Sequence, residues 1–189
     1  LYWQLEGFSG WLVGLLPIAP GTLQNLKSCP IDDRTWNDES RSLFLRLLAS
    51  GPALLQVWEE IDFVDIPGRL IPEWLAIRNR PSASAAHRYT IDRHSVEVVT
   101  RLGRETPRGN RYDDRHYQAL LLAGILHDVG KRPGVADHAA EGARHASMVL
   151  KRMGFDRDII WWVTLLVREH LTLSEFATGQ NPNDPNVGD

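Results

Sequence analysis

An all-α fold, a helical bundle preceded by an N-terminal helical linker segment, is predicted for this 189-residue chain by two observations. Apolar residues recur at intervals of three and four along most of the sequence, which is the spacing of one helix face. The alternation expected of a half-buried strand never persists beyond a few residues. Hydrophobic residues at 43% and charged residues at 24% describe an ordinary globular protein, neither disordered nor fibrous. The length suits a domain with a proper core plus an appendage.

Residues 1–35 are rich in Gly and Pro and have mixed periodicity, so they are read as the remnant of a preceding domain or linker. Residues 36–80 form a helical linker in this reading. Asn37 or Asp38 caps its first helix, which carries Leu43, Phe44, Leu47 and Leu48 and stops at Gly51-Pro52. Two helical stretches follow, PALLQVWEEIDFV at 52–64 and one around Pro72 to Arg78. The small and polar RPSASAAHRYT (80–90) connects them to a second helical group, so that 81–189 is expected as the principal domain.

The first helix of that group, capped by Thr90 or Asp92, bears Ile91, His94, Val98 and Leu102 on one stripe, which turns His94 inward. The next begins near His116. Leu120, Leu121, Leu122, Ala123, Ile125 and Leu126 leave it almost no polar side, so it is expected to be surrounded by other helices, with Gly130 ending it in the left-handed conformation. GVADHAAEGARHASMVLKRMG (134–154) offers Asp137 as cap and Gly154 as stop; His138, Glu141 and His145 lie along one side and Ala143, Ala146, Val149 and Leu150 face the core. DRDIIWWVTLLVREHL (156–171) aligns Ile160, Val163, Val167 and His170. Asp184-Pro185 has the form of a cap followed by proline in a first helical turn.

Several function classes are disfavoured by composition. A net charge of -3 and a pI near 6.2 give no reason to expect a nucleic-acid partner. The lone Cys29 excludes an internal disulfide framework and fits a reducing cytoplasm. FSGWLVGLLPIAPG (8–21) is too short to span a bilayer and is interrupted by Gly14 and Pro17, so no membrane association is expected. The opening on Leu1 and the close on NPNDPNVGD are read as the edges of a piece of a longer polypeptide.

The chemistry lies in LLAGILHDVGK (121–131), where an apolar run breaks into His127-Asp128 and then Lys131. An imidazole and a carboxylate are expensive to enclose without a partner, and a metal ion satisfies both. His94, His127, His138, His170, Asp128 and Asp184 all occupy inward stripes or helix ends and are predicted to converge. Imidazole nitrogens with carboxylate oxygens suit divalent Mn, Fe, Co, Ni or Zn, and a bridging carboxylate can hold two ions together. Such a pair implies phosphoester hydrolysis. Lys131 then serves as a positive group for a phosphate oxygen, or else as a solvated charge after the helix.

The order His94, His127-Asp128, His138, His170, Asp184 resembles the H…HD…D pattern of the HD superfamily of metal-dependent phosphohydrolases. LIPEWLAIRNR, HRYTIDRHSVEVV, LLAGILHDVGK, DHAAEGA and LVREHLTLSEFATGQNPNDP, in that order, are similar to consecutive blocks of the HD domains in the bifunctional uridylyltransferase/uridylyl-removing family. The resemblance implies an HD-domain bundle with one or two divalent ions, Mg or Mn first. It also implies hydrolysis of the phosphodiester joining UMP or AMP to a tyrosine of the PII nitrogen-signalling protein. Asp128 and Lys131 become the catalytic pair. The nucleotidyltransferase and glutamine-sensing ACT domains of that family are expected as missing parts of the same chain. Where many family members carry two adjacent histidines, this chain has Glu169-His170, which bears on the second ion site. His87, His116 and His145 are read as surface or supporting residues, and Arg144 and Arg168 as a solvated helix face. Two other readings keep the fold: hydrolysis of a free or signalling nucleotide, and a degenerate module relaying signals between flanking domains.

Overall fold

Acidic caps and prolines decide where the helices of this chain begin, and the apolar faces decide how they stack. The computed structural model describes residues 17–31, 36–82, 88–105 and 114–172. These residues form α1 (Pro20–Ser28), α2 (Asp38–Leu48), α3 (Pro52–Phe63), α4 (Ile66–Leu70), a 3-10 turn (Pro72–Ala76), α5 (Ile91–Glu105), α6 (Arg115–Leu126), α7 (His138–Arg152) and α8 (Arg157–Arg168). The all-α expectation is met. Among the described residues there is no strand, only an isolated bridge between Pro81 and Thr90, and no helix is long and apolar enough to cross a membrane.

Caps follow the sequence closely. Asn37 accepts from the Ser40 N–H at 2.9 Å while its own N–H donates to Ser40 Oγ at 2.8 Å, a reciprocal box that satisfies two otherwise orphaned donors. Asp114, Asp137 and Asp156 cap α6, α7 and α8 through their carboxylates. Gly154 stops α7 in the left-handed region, at φ +74°. Asp92 takes a different role from the cap considered for it, accepting from the Asn79 N–H at 2.8 Å and so tying the connection ahead of α5 to that helix.

Three elements differ from expectation. The stretch near Pro72 winds as a short 3-10 turn, and Pro72, which has no N–H to continue the ladder of α4, separates the two. Helix α1 was concealed by the mixed periodicity of its surroundings; only Leu26 of its residues is buried. Helix α6 is not wholly enclosed, since Leu120 is 39% exposed while Leu121, Leu122, Ile125 and Leu126 are buried.

One continuous core runs from Ile18 and Leu26 through Leu48, Leu54 and Trp74 to Leu122, Val149 and Val167. Helix α6 is its axis, packing against α2, α5, α7 and α8, and α7 lies along α8. Polar ties join the N-terminal part to the rest. Arg152, in the last turn of α7, grips Glu73 of the 3-10 turn through two bonds of 3.1 and 2.6 Å. Arg41 of α2 donates to the Met153 carbonyl at 3.0 Å.

Gly130 does not act as the left-handed stop foreseen for it. Helix α6 already ends at Leu126, and Gly130 lies where the following turn presses onto α7. A Cβ there would fall 2.2 Å from the His138 carbonyl oxygen and 2.3 Å from the Gly142 nitrogen. Both obstacles are backbone, so no side-chain movement relieves them. Gly130→Ala is expected to destabilise the fold by about 1–3 kcal/mol or more, which thermal unfolding followed by circular dichroism reads as a melting point lower by roughly 5–10 °C.

Candidate metal centre

The helices bring together residues far apart in sequence at one end of the bundle. His94 comes from the first turn of α5, His127 and Asp128 from the turn after α6, His138 from the first position of α7 and His170 from the turn after α8. Helix ends suit ligands because the chain there is free of the side-chain crowding of a helix middle.

Two ligand groups result, and Asp128 belongs to both. His94, His127 and Asp128 offer atoms all within 4.8 Å of one another, and so do Asp128, His138 and His170. Ligands on opposite sides of one ion stand about 4 Å apart when each bond is roughly 2 Å, so either group can close on a cation with small adjustments. The imidazole rings form a chain, with centroids 5.2 Å apart for His94 and His127, 5.3 Å for His127 and His170, and 5.6 Å for His138 and His170.

Hydrogen bonding prepares two rings for coordination. His127 Nδ1 lies 2.9 Å from the Gly124 carbonyl oxygen and His170 Nδ1 lies 2.7 Å from that of Val167. A carbonyl only accepts, so Nδ1 carries the hydrogen and Nε2 presents its lone pair inward. Asp128 Oδ1, His138 Nε2 and His170 Nε2 are buried without a hydrogen-bond partner. Enclosed polar atoms in that condition cost free energy, and three of them converging supply the coordination that a divalent cation requires. The donor set therefore fits a metal.

Asp128 is 1% exposed. Its Oδ2 stands 3.3 Å from His127 Nε2 and accepts from Lys131 Nζ at 2.8 Å, and its Oδ1 stands 3.5 Å from His170 Nε2. Burial alone would raise its pKa, but the imidazoles of His127 and His170 and the Lys131 ammonium outweigh that effect and hold the carboxyl far below the usual carboxylate range. His138 is pushed down, by burial first and then by the Lys131 charge, which favours the neutral ligating ring. His170 moves upward: burial opposes the shift, and Asp128 together with the Val167 carbonyl overcomes it.

Of the residues singled out from sequence, His94, His127, Asp128, His138 and His170 thus meet, while Asp184 lies outside the described residues, as does His87. Lys131 turns toward Asp128 and lines the adjoining cavity, with a side chain 19% exposed. Glu169 accepts from the Thr172 hydroxyl at 2.7 Å and belongs to neither ligand group. His145 is buried on α7 with Nε2 at 2.8 Å from Glu141, His116 stacks edge-on against Trp162, and Arg144 pairs with Glu141 on the surface. Sequence reasoning missed Gly130 and Gly142 as positioning residues. Both stood inside the motif blocks, but nothing in their spacing announces a backbone approach between them.

A helical bundle with one carboxylate shared between two histidine groups has the donor set of a divalent-metal site. The HD domain family matches residues 91–186, and the chain belongs to it. Curated relatives named bifunctional uridylyltransferase/uridylyl-removing enzyme are 40% identical in Streptomyces coelicolor, over 79% of this chain and 17% of the relative, and 36% identical in Mycobacterium tuberculosis, over 90% and 20%. One from Caulobacter vibrioides is 32% identical, over 75% and 16%. The chain therefore spans a fifth or less of the length of these relatives. No solved structure matches it.

Asp128→Ala is expected to remove tight divalent-metal binding, because it takes a ligand from both groups at once, while far-ultraviolet circular dichroism remains helical. His145→Ala should leave metal content unchanged. Elemental analysis after dialysis checks both, and full occupancy in Asp128→Ala would count against the assignment.

Proposed function

We propose that this chain hydrolyses the phosphodiester that joins a nucleoside monophosphate, UMP or AMP, to a tyrosine of the PII signalling protein, and that it does so within a larger bifunctional nucleotidyltransferase. The observation that carries the reading is the pair of ligand groups sharing Asp128. The names of the relatives support its finer part. The nucleotidyltransferase and ACT domains belong to the remainder of such a polypeptide, and the cytoplasm is its compartment.

His94, His127 and Asp128 hold one divalent ion in this proposal, and Asp128, His138 and His170 hold a second, with Asp184 as a further ligand. Mn, Fe, Co, Ni or Zn suits the mixed nitrogen and oxygen donors, while Mg, which prefers oxygen ligands, is put forward with Mn by the family resemblance. When bound, such ions supply Lewis acidity and an acidified water for attack on phosphorus.

The protein's own part is positioning and charge. Asp128 remains ionised at neutral pH because its neighbours are cationic or hydrogen-bonding, so it can bind without first losing a proton. The Nδ1 bonds of His127 and His170 keep those rings from turning away. Lys131 Nζ, held at the edge of the cavity by Asp128, is placed to meet a non-bridging phosphate oxygen as negative charge grows there. The leaving phenolate is stable enough to depart with little help.

Lys131→Ala is expected to lower kcat by about 10- to 1,000-fold with metal content unchanged, as loss of one electrostatic donor commonly does. His127→Ala should lose metal and activity together. Steady-state hydrolysis of nucleotidylated PII by the metal-loaded protein checks the pair. Inert modified PII with brisk turnover of free nucleotides would assign the site to another substrate class.

A further inference from the structure

One cavity of about 440 Å³ joins the histidine cluster to a trough of quite different chemistry. Its polar end is the metal centre and Lys131. Its other end is walled by Val98, Leu102, Leu120, Ala123, Leu166 and Leu171. Val98 and Leu102 follow His94 along α5 by one and two turns, and Ala123 and Leu120 precede His127 along α6 by the same steps. At 1.5 Å per residue these walls carry the trough roughly 10 Å from the ligands. Leu166 of α8 and Leu171, in the turn beyond it, close the side.

We propose that this trough receives the aromatic ring of an aryl phosphodiester, bonded through the ester oxygen that leaves, and that the nucleoside half lies outside it. The inference rests on the phosphohydrolase reading and deepens it by dividing the substrate between the two ends. With phosphorus at the metal centre, a phenolic ring extends directly into the aliphatic section, and its only polar atom stays at the polar end. A nucleobase placed there would set its donors and acceptors against leucine and valine. Among the described residues, none of those lining the apolar end has a side chain that can hydrogen-bond, and the backbone of α5 and α6 is committed to the helices. A ribose fares no better. A flat, rigid ring gains contact area and loses little conformational freedom. The exposure of Leu120 at 39% and Leu166 at 37% is the surface such a ring would cover.

Unreactive probes separate ring binding from leaving-group reactivity. Titration calorimetry on the manganese-loaded full chain would compare orthophosphate, methylphosphonate, phenylphosphonate and UMP. Phenylphosphonate is expected to bind about tenfold tighter than methylphosphonate, the size of effect that burying much of one ring produces. Leu120→Ser and Leu166→Ser, both at partly exposed positions, should each reduce that ratio to about threefold or less, with the affinities for methylphosphonate and UMP unchanged. Equal binding of the two phosphonates by the unaltered chain overturns the trough assignment alone. So does a loss of UMP affinity in Leu166→Ser matching that for phenylphosphonate, because the base would then occupy the trough. Failure of orthophosphate and both phosphonates to bind overturns the phosphohydrolase reading, and this inference with it.

Discussion

The enclosed carboxylate of Asp128 is the constraint around which the site is arranged. An ionised group at 1% exposure is sustained only by what surrounds it, and here the surroundings are the His127 imidazole and Lys131 ammonium of its own turn and the His170 imidazole from the turn after α8. Removing charge or ligand from any of them leaves the others with unmet demands. This is why the same residue appears in both histidine groups, and why its position relative to α7 and α8 matters more than its place in the turn after α6.

That position depends on backbone proximity. The turn after α6 packs this closely onto α7 because residue 130 is glycine, with the small Gly142 facing it. The Gly130 site leaves no room for a Cβ, and one on Gly142 would lie 3.2 Å from the His127 carbonyl oxygen. The close approach sets the reach between Asp128 and His138. Farther out, the Glu73–Arg152 and Arg41–Met153 ties fasten the N-terminal helices to the end of α7, so the whole core restrains the ligand-bearing elements.

The cavity divides its chemistry by helix position. Ligands sit at helix ends, where polar atoms project beyond the packed surface; aliphatic side chains one and two turns away line the rest. A polar reacting group and an apolar substituent can then be accommodated side by side, each in surroundings that suit it. The same division accounts for the half-exposed leucines of α6 and α8, which belong to the cavity wall as much as to the core.

Much of this was legible in the residues themselves. Helix periodicity, the caps Asn37 and Asp137, and the ordered His94, His127-Asp128, His138, His170 are local features, and local propensity with capping chemistry determines them. The stripe Ile91, His94, Val98, Leu102 was also read correctly as an inward face. Periodicity marks a face as unexposed to bulk solvent, but it does not distinguish a packed core from the wall of a cavity, and the last three of those residues line the cavity. Whether the imidazoles would meet, which carboxylate oxygen would face which ring, that Gly130 would serve contact with α7 rather than end α6, and that Glu169 would turn to Thr172 were all decided by tertiary packing. Those outcomes depend on distances between elements dozens of residues apart, and a one-dimensional pattern carries no term for them.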